Sequence, residues 1–406
     1  MDRIKSHGLF LPLLTLVLLS AFVGSAIAED YYHQPVKTRF SEVEIALGKA
    51  LIRESLNRGI EPPAFDGALS LAAKHLAKGV VNGSIAPNLL LRSRYIETIL
   101  RLYGCSDANF VLLTGHPNKV RTQAAKLVRQ LVSDGFGDRR YSHIGLAVES
   151  EEFPFLVVLL AHRPVHLSRF PRKVVAGQSF TLRGTNTGTG DLRMFLAGPD
   201  GAIVENRIRN FGERGLFDRK IAFDQGAGDY QIELTARTAR GPEVVCLMEI
   251  NALGTPEFGD GTPRYMARKD YGHPSDESGA EQVLLKMVND SRKSVEKSLL
   301  KTDDSLGNVA RKFARELMRK SMTAHRSNEG LLLEDRLQQA GYSFTTAGEC
   351  LGVAETVFEV YEGMLRSPSH AATLLDPRFN QAGIGVAIDD MGTYRNVYVV
   401  VILAEP

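Results

Sequence analysis

Three ionisable residues in the last third of the chain have side chains that can do chemistry together. His325 follows a helix-forming segment, Glu349 lies ahead of the next such segment, and His370 comes just beyond it. Two imidazoles and a carboxylate from separated loops can form an open divalent-metal site or an acid/base pair. The intervals between them match no compact metal-binding motif, so spacing alone leaves solvated or structural roles open as well.

The spacing of apolar residues along the chain indicates the helices and strands that must position these residues. Apolar residues recur at helical spacing over 306–318 and again over 354–366. Two apolar runs, at 383–388 and 396–403, are separated by a turn-forming stretch at 389–392. The pattern predicts two helices followed by an antiparallel hairpin.

Several short blocks occur in a specific order across this region. They are Ala324-His325, Asp335 through Glu349, Ser367-Pro368-Ser369-His370, Leu374 through Phe379, and Gly383-Ile384-Gly385-Val386. Together they resemble the bacterial branch of the CAP superfamily, which includes the cysteine-rich secretory and pathogenesis-related proteins. The resemblance covers about 281–406.

The resemblance implies an α-β-α sandwich with a central antiparallel sheet and a cleft lined by His and Glu residues. Carried over by position, the ligand-cleft and metal-binding residues are His325, Glu349 and His370, with zinc as a possible divalent metal and Glu349 as the candidate general base. The chain departs from the family pattern at Cys350, where Asn is common, and at Met364, where Trp is common.

The N-terminal part of the chain repeats the same order of patterns. A helical stripe at 66–77, a run at 144–148 and a run at 155–161 match the stripe at 306–318 and the two hairpin runs at nearly constant separation. Ile144-Gly145 aligns there with Ile384-Gly385. The Gly-Glu and Ser-Pro-x-His blocks are missing, so residues 40–163 are interpreted as a degenerate CAP-like copy without the site.

Residues 164–253 alternate with period 2 between regularly spaced turns, which is typical of a small antiparallel β-sandwich of immunoglobulin-like type. A Pro-, Gly- and charge-rich linker at 254–279 precedes the CAP domain at 280–406. The predicted fold class is therefore α+β, with two α-β-α sandwich domains flanking an Ig-like domain.

The first 28 residues have the layout of a secretory signal peptide. Arg3 and Lys5 precede an apolar run at 9–23, and Ala26-Ile27-Ala28 is a cleavage pattern. We therefore expect a secreted or periplasmic protein with no transmembrane span after signal cleavage. The three cysteines, at 105, 246 and 350, allow no disulfide to be assigned, and a net charge of +2 over 406 residues favours no nucleic-acid partner.

Three functions fit these observations. The first is a non-catalytic binding or interaction module whose cleft takes a divalent metal and a small hydrophobic or cell-envelope ligand, or a protein partner. The second is a metal-dependent hydrolase or peptidase with Glu349 as general base. The third is a purely structural adhesion protein. The sequence contains no nucleophile elbow, Walker loop or His-Glu-x-x-His motif that would decide for an enzyme.

Overall fold

The computed structural model describes most of the chain after the predicted leader. The described residues are 31–116, 120–132, 141–150, 154–188, 190–212, 215–238, 240–253, 269–390 and 395–406. The predicted signal peptide, the linker residues 254–268 and the second half of the predicted turn at 389–392 lie outside them. Within the described ranges, no helix is long and apolar enough to cross a membrane.

The N-terminal unit is a four-stranded sheet with helices on both faces. The described chain begins with β1 (Tyr31–Tyr32), whose Tyr32 packs in the core of the middle unit. The elements of the N-terminal unit are α1 (Glu42–Asn57), β2 (Ala64–Phe65), α2 (Gly67–Val81), a 3₁₀ turn (Pro87–Leu91), α3 (Ser93–Leu102), β3 (Phe110–Gly115), α4 (Val120–Val132), β4 (His143–Glu149) and β5 (Phe155–Ala161). The sheet order is β2-β4-β5-β3. One apolar cluster joins it to α2 and α3, and a second joins its other face to α1 and α4.

The middle unit consists of strands only. These are β6 (Val165–Leu167), β7 (Phe170–Pro171), β8 (Lys173–Val175), β9 (Ser179–Asn186), β10 (Leu192–Ala197), β11 (Ile203–Ile208), β12 (Leu216–Ala222), β13 (Gly228–Thr238) and β14 (Gly241–Leu253). The sheets β11-β10-β13-β14-β8 and β12-β9-β6 enclose one apolar core. The Tyr230 hydroxyl donates to the Gly226 carbonyl at 2.9 Å, which is the kind of contact made by a tyrosine corner. The immunoglobulin-like assignment itself stays a prediction.

The C-terminal unit is again a four-stranded sheet between helices. Its elements are α5 (Glu277–Ser294), β15 (Lys301–Thr302), α6 (Asp304–Lys320), α7 (Leu333–Gln339), β16 (Thr346–Ala354), α8 (Val357–Arg366), α9 (Pro368–Leu374), β17 (Gln381–Asp390) and β18 (Arg395–Glu405). The sheet order is β15-β17-β18-β16. Alternate strand residues pack against α5, α8 and α9 on one face and against α6 and α7 on the other. The predicted helices and the closing hairpin are confirmed.

The two flanking sheets have the same strand order and the same strand directions. The edge strands β2 and β15 run parallel to β4 and β17, and the remaining pairs are antiparallel. In both units a helix lies directly on a glycine: a Cβ on Gly145 would come within 2.2 Å of the Leu69 backbone, and one on Gly383 within 2.2 Å of the Leu306 backbone. This contact aligns Gly145 with Gly383, so the sequence alignment of Gly145 with Gly385 is wrong by two residues.

A polar cluster lies where the N-terminal unit meets the middle unit. The buried Arg163 guanidinium donates to both oxygens of Asp107, at 2.8 and 2.7 Å. His33 and His143 lie nearby, and burial, followed by the charge of Arg163, lowers the pKa of each to about 4. Both imidazoles are therefore neutral in the folded protein at physiological pH.

These two histidines should make the fold sensitive to acid. In the unfolded chain a histidine titrates near its ordinary pKa of about 6.5, so the unfolded state binds more protons between that pH and about 4. The free energy of unfolding should therefore fall as pH drops through this window. The double variant His33→Asn/His143→Asn should show a shallower fall in urea titrations at pH 7, 6 and 5. His116→Asn, at an exposed histidine, is the control, and equal slopes for all three proteins would contradict the prediction.

Candidate functional site

Glu349 lies inside a strand rather than in the loop that the sequence suggested. Strand β16 pairs along its whole length with β18, and Glu349 stands opposite Ile402. Because strand side chains alternate, Glu349 points to the same face as Ala347 and Leu351, toward α6 and α7, while Cys350 is buried in the opposite core. The Glu349 side chain is only 2 % exposed.

Both oxygens of this buried carboxylate have partners. The Nδ1 atom of His325 is 2.8 Å from Oε1, and the Arg336 guanidinium donates to Oε2 at 2.7 Å. Arg336 comes from α7, and its guanidinium lies over the Phe313 ring at 3.6 Å from the ring centroid. When the carboxylate is ionised it can only accept, so the partner atom Nδ1 of His325 carries a proton, and in the neutral imidazole Nε2 is then the acceptor.

His370 lies within α9, which packs against β16, the strand that carries Glu349, and not in a loop. Its Nδ1 atom is 2.9 Å from the Ser367 hydroxyl. Burial, with a smaller effect from nearby His325, lowers the pKa of His370 to about 4. The imidazole is therefore neutral at physiological pH and can act as a hydrogen-bond acceptor or weak base.

The middle unit contacts both histidine segments. Near His325, the hairpin between β13 and β14 brings Gly241 so close that a Cβ there would lie 2.7 Å from the His325 Cβ, and the Gly241 φ of +102° disfavours any side chain. The backbone N–H of Arg326 donates to the Arg240 carbonyl at 3.0 Å. Near His370, the buried Glu233 of β13 accepts from the Ser367 hydroxyl at 2.6 Å and from the Ser369 N–H at 3.2 Å.

The three predicted site residues line one cavity of about 1050 Å³. Its floor belongs to the C-terminal unit, and its opposite wall is formed by β10, β11, β13 and the start of β14. The wall carries charged side chains, among them Arg193 paired with Glu205 and Arg207 paired with Asp191. The cavity has the size of ordinary small-molecule pockets and lies between domains, where such pockets are frequent.

The residues do not form a ready metal site. Within the described ranges, no group of three or more His, Cys, Asp or Glu side chains is arranged to hold a metal ion. Each Glu349 oxygen already accepts a hydrogen bond, one of them from a cation, which makes this carboxylate a weaker metal ligand. Only the Nε2 atoms of the two histidines remain, and a protein metal site normally needs at least three donors. The predicted role of Glu349 as a metal ligand stays a prediction that this geometry does not favour.

Cys350 is a packing residue. Burial, with the nearby Glu349 charge as the second cause, raises the pKa of its thiol well above the ordinary value. A thiol held in this way is a poor nucleophile. Cys105, Cys246 and Cys350 are all free and buried.

Two residues that contact the site, Arg336 and Glu233, were not predicted from the sequence. Arg336 lies within the block 335–349 that carried the family resemblance, so the sequence could have indicated it as a site residue. Glu233 gave no signal, because it occupies the outward position of an alternating strand, where charged residues are usually solvated.

The C-terminal unit can be assigned to a protein family. Residues 285–403 match the family model described as "Cysteine-rich secretory protein family", CAP. This part of the chain is therefore a CAP domain, as the order of its sequence blocks indicated.

One curated protein and several solved structures are similar to the chain. The "Uncharacterized protein YkwD" of Bacillus subtilis (strain 168) is 27 % identical over 113 residues, which are 28 % of this chain and 44 % of that protein. The chain thus spans less than half the length of this relative. An outer surface protein from Borrelia burgdorferi is 24 % identical, with 33 % of this chain and 99 % of that chain covered and a TM-score of 0.29. An extracellular SCP-domain protein from Bacillus anthracis str. Ames is 15 % identical, with 56 % and 82 % covered and a TM-score of 0.29.

The ion pair between Arg336 and Glu349 gives a stability prediction. Arg336→Met leaves a buried carboxylate without its cation and should reduce the free energy of unfolding by about 3–5 kcal/mol, measured by urea denaturation. The double variant Arg336→Met/Glu349→Met removes both charges and should regain most of the loss. Arg378→Met, at an exposed pair with Asp376, is the matched control and should change stability by less than about 1 kcal/mol. A loss in the double variant as large as in Arg336→Met would contradict the assignment.

Proposed function

We propose that this chain is an exported CAP-domain protein that binds a small, cell-envelope-derived ligand in the cavity between its CAP domain and its β-sandwich. The observation that carries the proposal is the convergence of His325, Glu349 and His370 on one cavity. The two cleft histidines and the charged side chains of the wall suit a ligand with several polar groups. Apolar side chains such as Leu351 and Phe379 add surface for its apolar part.

Export is supported by the sequence of the first 28 residues, which has the order of a secretory signal peptide. The cysteines are compatible with an oxidising compartment, because all three thiols are buried. We therefore place the mature chain outside the cytoplasm.

We also infer that residues 40–163 are a second CAP-like unit that has lost the site. The support is the shared sheet order and the matching of Gly145 with Gly383 under equivalent helices. Gly145 pairs with Leu159 and Leu159 with Leu112, whereas Gly383 pairs with Ile402 and Ile402 with Glu349. Leu112 therefore occupies the position of the acid, and the N-terminal unit has no buried carboxylate there.

Soluble disaccharide-peptide fragments of peptidoglycan are the probe for the cleft. Isothermal titration calorimetry should show binding to the wild-type protein and at least about tenfold weaker binding to His325→Ala/His370→Ala, a change of about 1.4 kcal/mol. The matched control His116→Ala/His273→Ala removes two exposed histidines outside the cavity and should bind like the wild type. Absence of binding to the wild type, or unchanged binding to the cleft variant, would contradict the proposal.

A hydrolase is the second candidate, and the pair His325–Glu349 is the observation in its favour. In that geometry Glu349 orients His325 through Nδ1, and the imidazole Nε2 would serve as the base. Mass spectrometry of the same fragments after incubation distinguishes the two functions. Cleavage that Glu349→Gln abolishes would favour the hydrolase, and intact fragments favour the binding module.

Zinc binding is tested separately. We propose that a divalent metal, if the cleft takes one, is held through the two histidines, since the carboxylate is engaged. Zinc titration should then show weak binding that disappears in His325→Ala/His370→Ala and persists in the control His116→Ala/His273→Ala. Equal zinc binding by both double variants would exclude this cleft as the metal site.

A further inference from the structure

Glu233 is a buried acid in the middle unit, outside the residues that match the CAP family. Its neighbours Ile232 and Leu234 are buried in the sandwich core, and alternation along β13 turns Glu233 to the opposite face of the sheet. That face is covered by α9 of the CAP domain, and Glu233 is 0 % exposed. A charged residue at such a place needs partners to offset the loss of its hydration.

The hydrogen-bond partners of Glu233 connect it to His370 in the cleft. The Ser367 hydroxyl donates its one proton to Glu233 Oε2 at 2.6 Å, and the Ser369 N–H donates to Oε1 at 3.2 Å. With its proton used in this way, the Ser367 oxygen can only accept from His370 Nδ1, which lies 2.9 Å away. While Glu233 is ionised, the hydrogen-bonded sequence Glu233–Ser367–His370 therefore puts the imidazole proton on Nδ1 and leaves Nε2 as the acceptor.

The two histidines of the cleft are thus supported in parallel ways. Glu349 fixes His325 directly from within the CAP domain, and Glu233 acts on His370 through a hydroxyl from a different domain. Supporting acids of this kind set the tautomer and the orientation of a histidine, which decides what it can accept or donate.

We propose that Glu233 is a positioning residue of the CAP cleft, which holds His370 in the Nδ1–H tautomer through Ser367 so that both histidines present an unprotonated Nε2. The β-sandwich is then a part of the site rather than only a spacer. The inference goes beyond the proposed function. It concerns the tautomer of His370, which can be measured in the protein without any ligand.

The experiment is nitrogen NMR of the full chain labelled with ¹⁵N-histidine at pH 7.5, with the His370 signals assigned from their loss in His370→Ala. The wild type should show His370 predominantly as the Nδ1–H tautomer. Glu233→Gln introduces an amide that can donate to Ser367 and so release the hydroxyl proton toward His370, and Ser367→Ala removes the relay. Both variants should shift His370 toward the Nε2–H tautomer.

Matched variants separate positioning from general damage. Ser367→Thr retains the hydroxyl and should keep the wild-type tautomer, and Asp218→Asn, at an exposed acid on β12, should do the same. The His325 signals should stay unchanged throughout, because its partner is Glu349. If Glu233→Gln does not fold, the pair Ser367→Ala and Ser367→Thr carries the test. An Nε2–H tautomer in the wild type, or an unchanged Nδ1–H tautomer in Ser367→Ala, would overturn the proposal.

Discussion

The charge of Glu349 is the constraint on which the candidate site depends. A carboxylate that is 2 % exposed is stable only when hydrogen bonds and an opposite charge replace its hydration, and here Arg336 and His325 do so from two different segments. The requirement fixes α7 against β16 and fixes the ring of His325. It also engages each Glu349 oxygen in one hydrogen bond, which does not favour the predicted roles of Glu349 as general base or metal ligand.

Glu233 is a second buried acid that needs hydrogen-bond partners, and its partners come from a different domain. Glu233 is buried by the packing of α9 on β13, and burial raises its pKa, although the bonds from Ser367 and Ser369 act in the opposite direction. The two acids belong to different domains, and each acts on one histidine. The cleft is therefore a product of the CAP domain and the sandwich together, and neither unit alone contains all of its polar groups.

The sequence predicted those parts of the structure that local patterns determine. Helical spacing predicted α6 and α8, and two apolar runs around a turn predicted β17 and β18. The family resemblance assigned the three site residues to one cleft. Strand β16 was missed because its pairing with β18 is non-local, and the small residues at 346–348 carry no apolar alternation. Glu233 could not be predicted, since an outward residue of a strand looks solvated until another domain is known to cover it.

The sheet of the N-terminal unit has an apolar residue at the position that corresponds to Glu349. Leu112 stands where the C-terminal unit has Glu349, and an apolar side chain there requires no cation or histidine. This unit makes polar contacts with the sandwich, where Asn109 donates to the Val244 carbonyl at 2.8 Å and the Leu247 N–H donates to the Ser106 carbonyl at 2.9 Å. Strand β14 thus contacts the N-terminal unit along its middle and the CAP domain at its start, where Gly241 meets His325. The N-terminal unit, which in our proposal is a CAP-like unit without the site, can in this way help to hold the sandwich wall of the cleft.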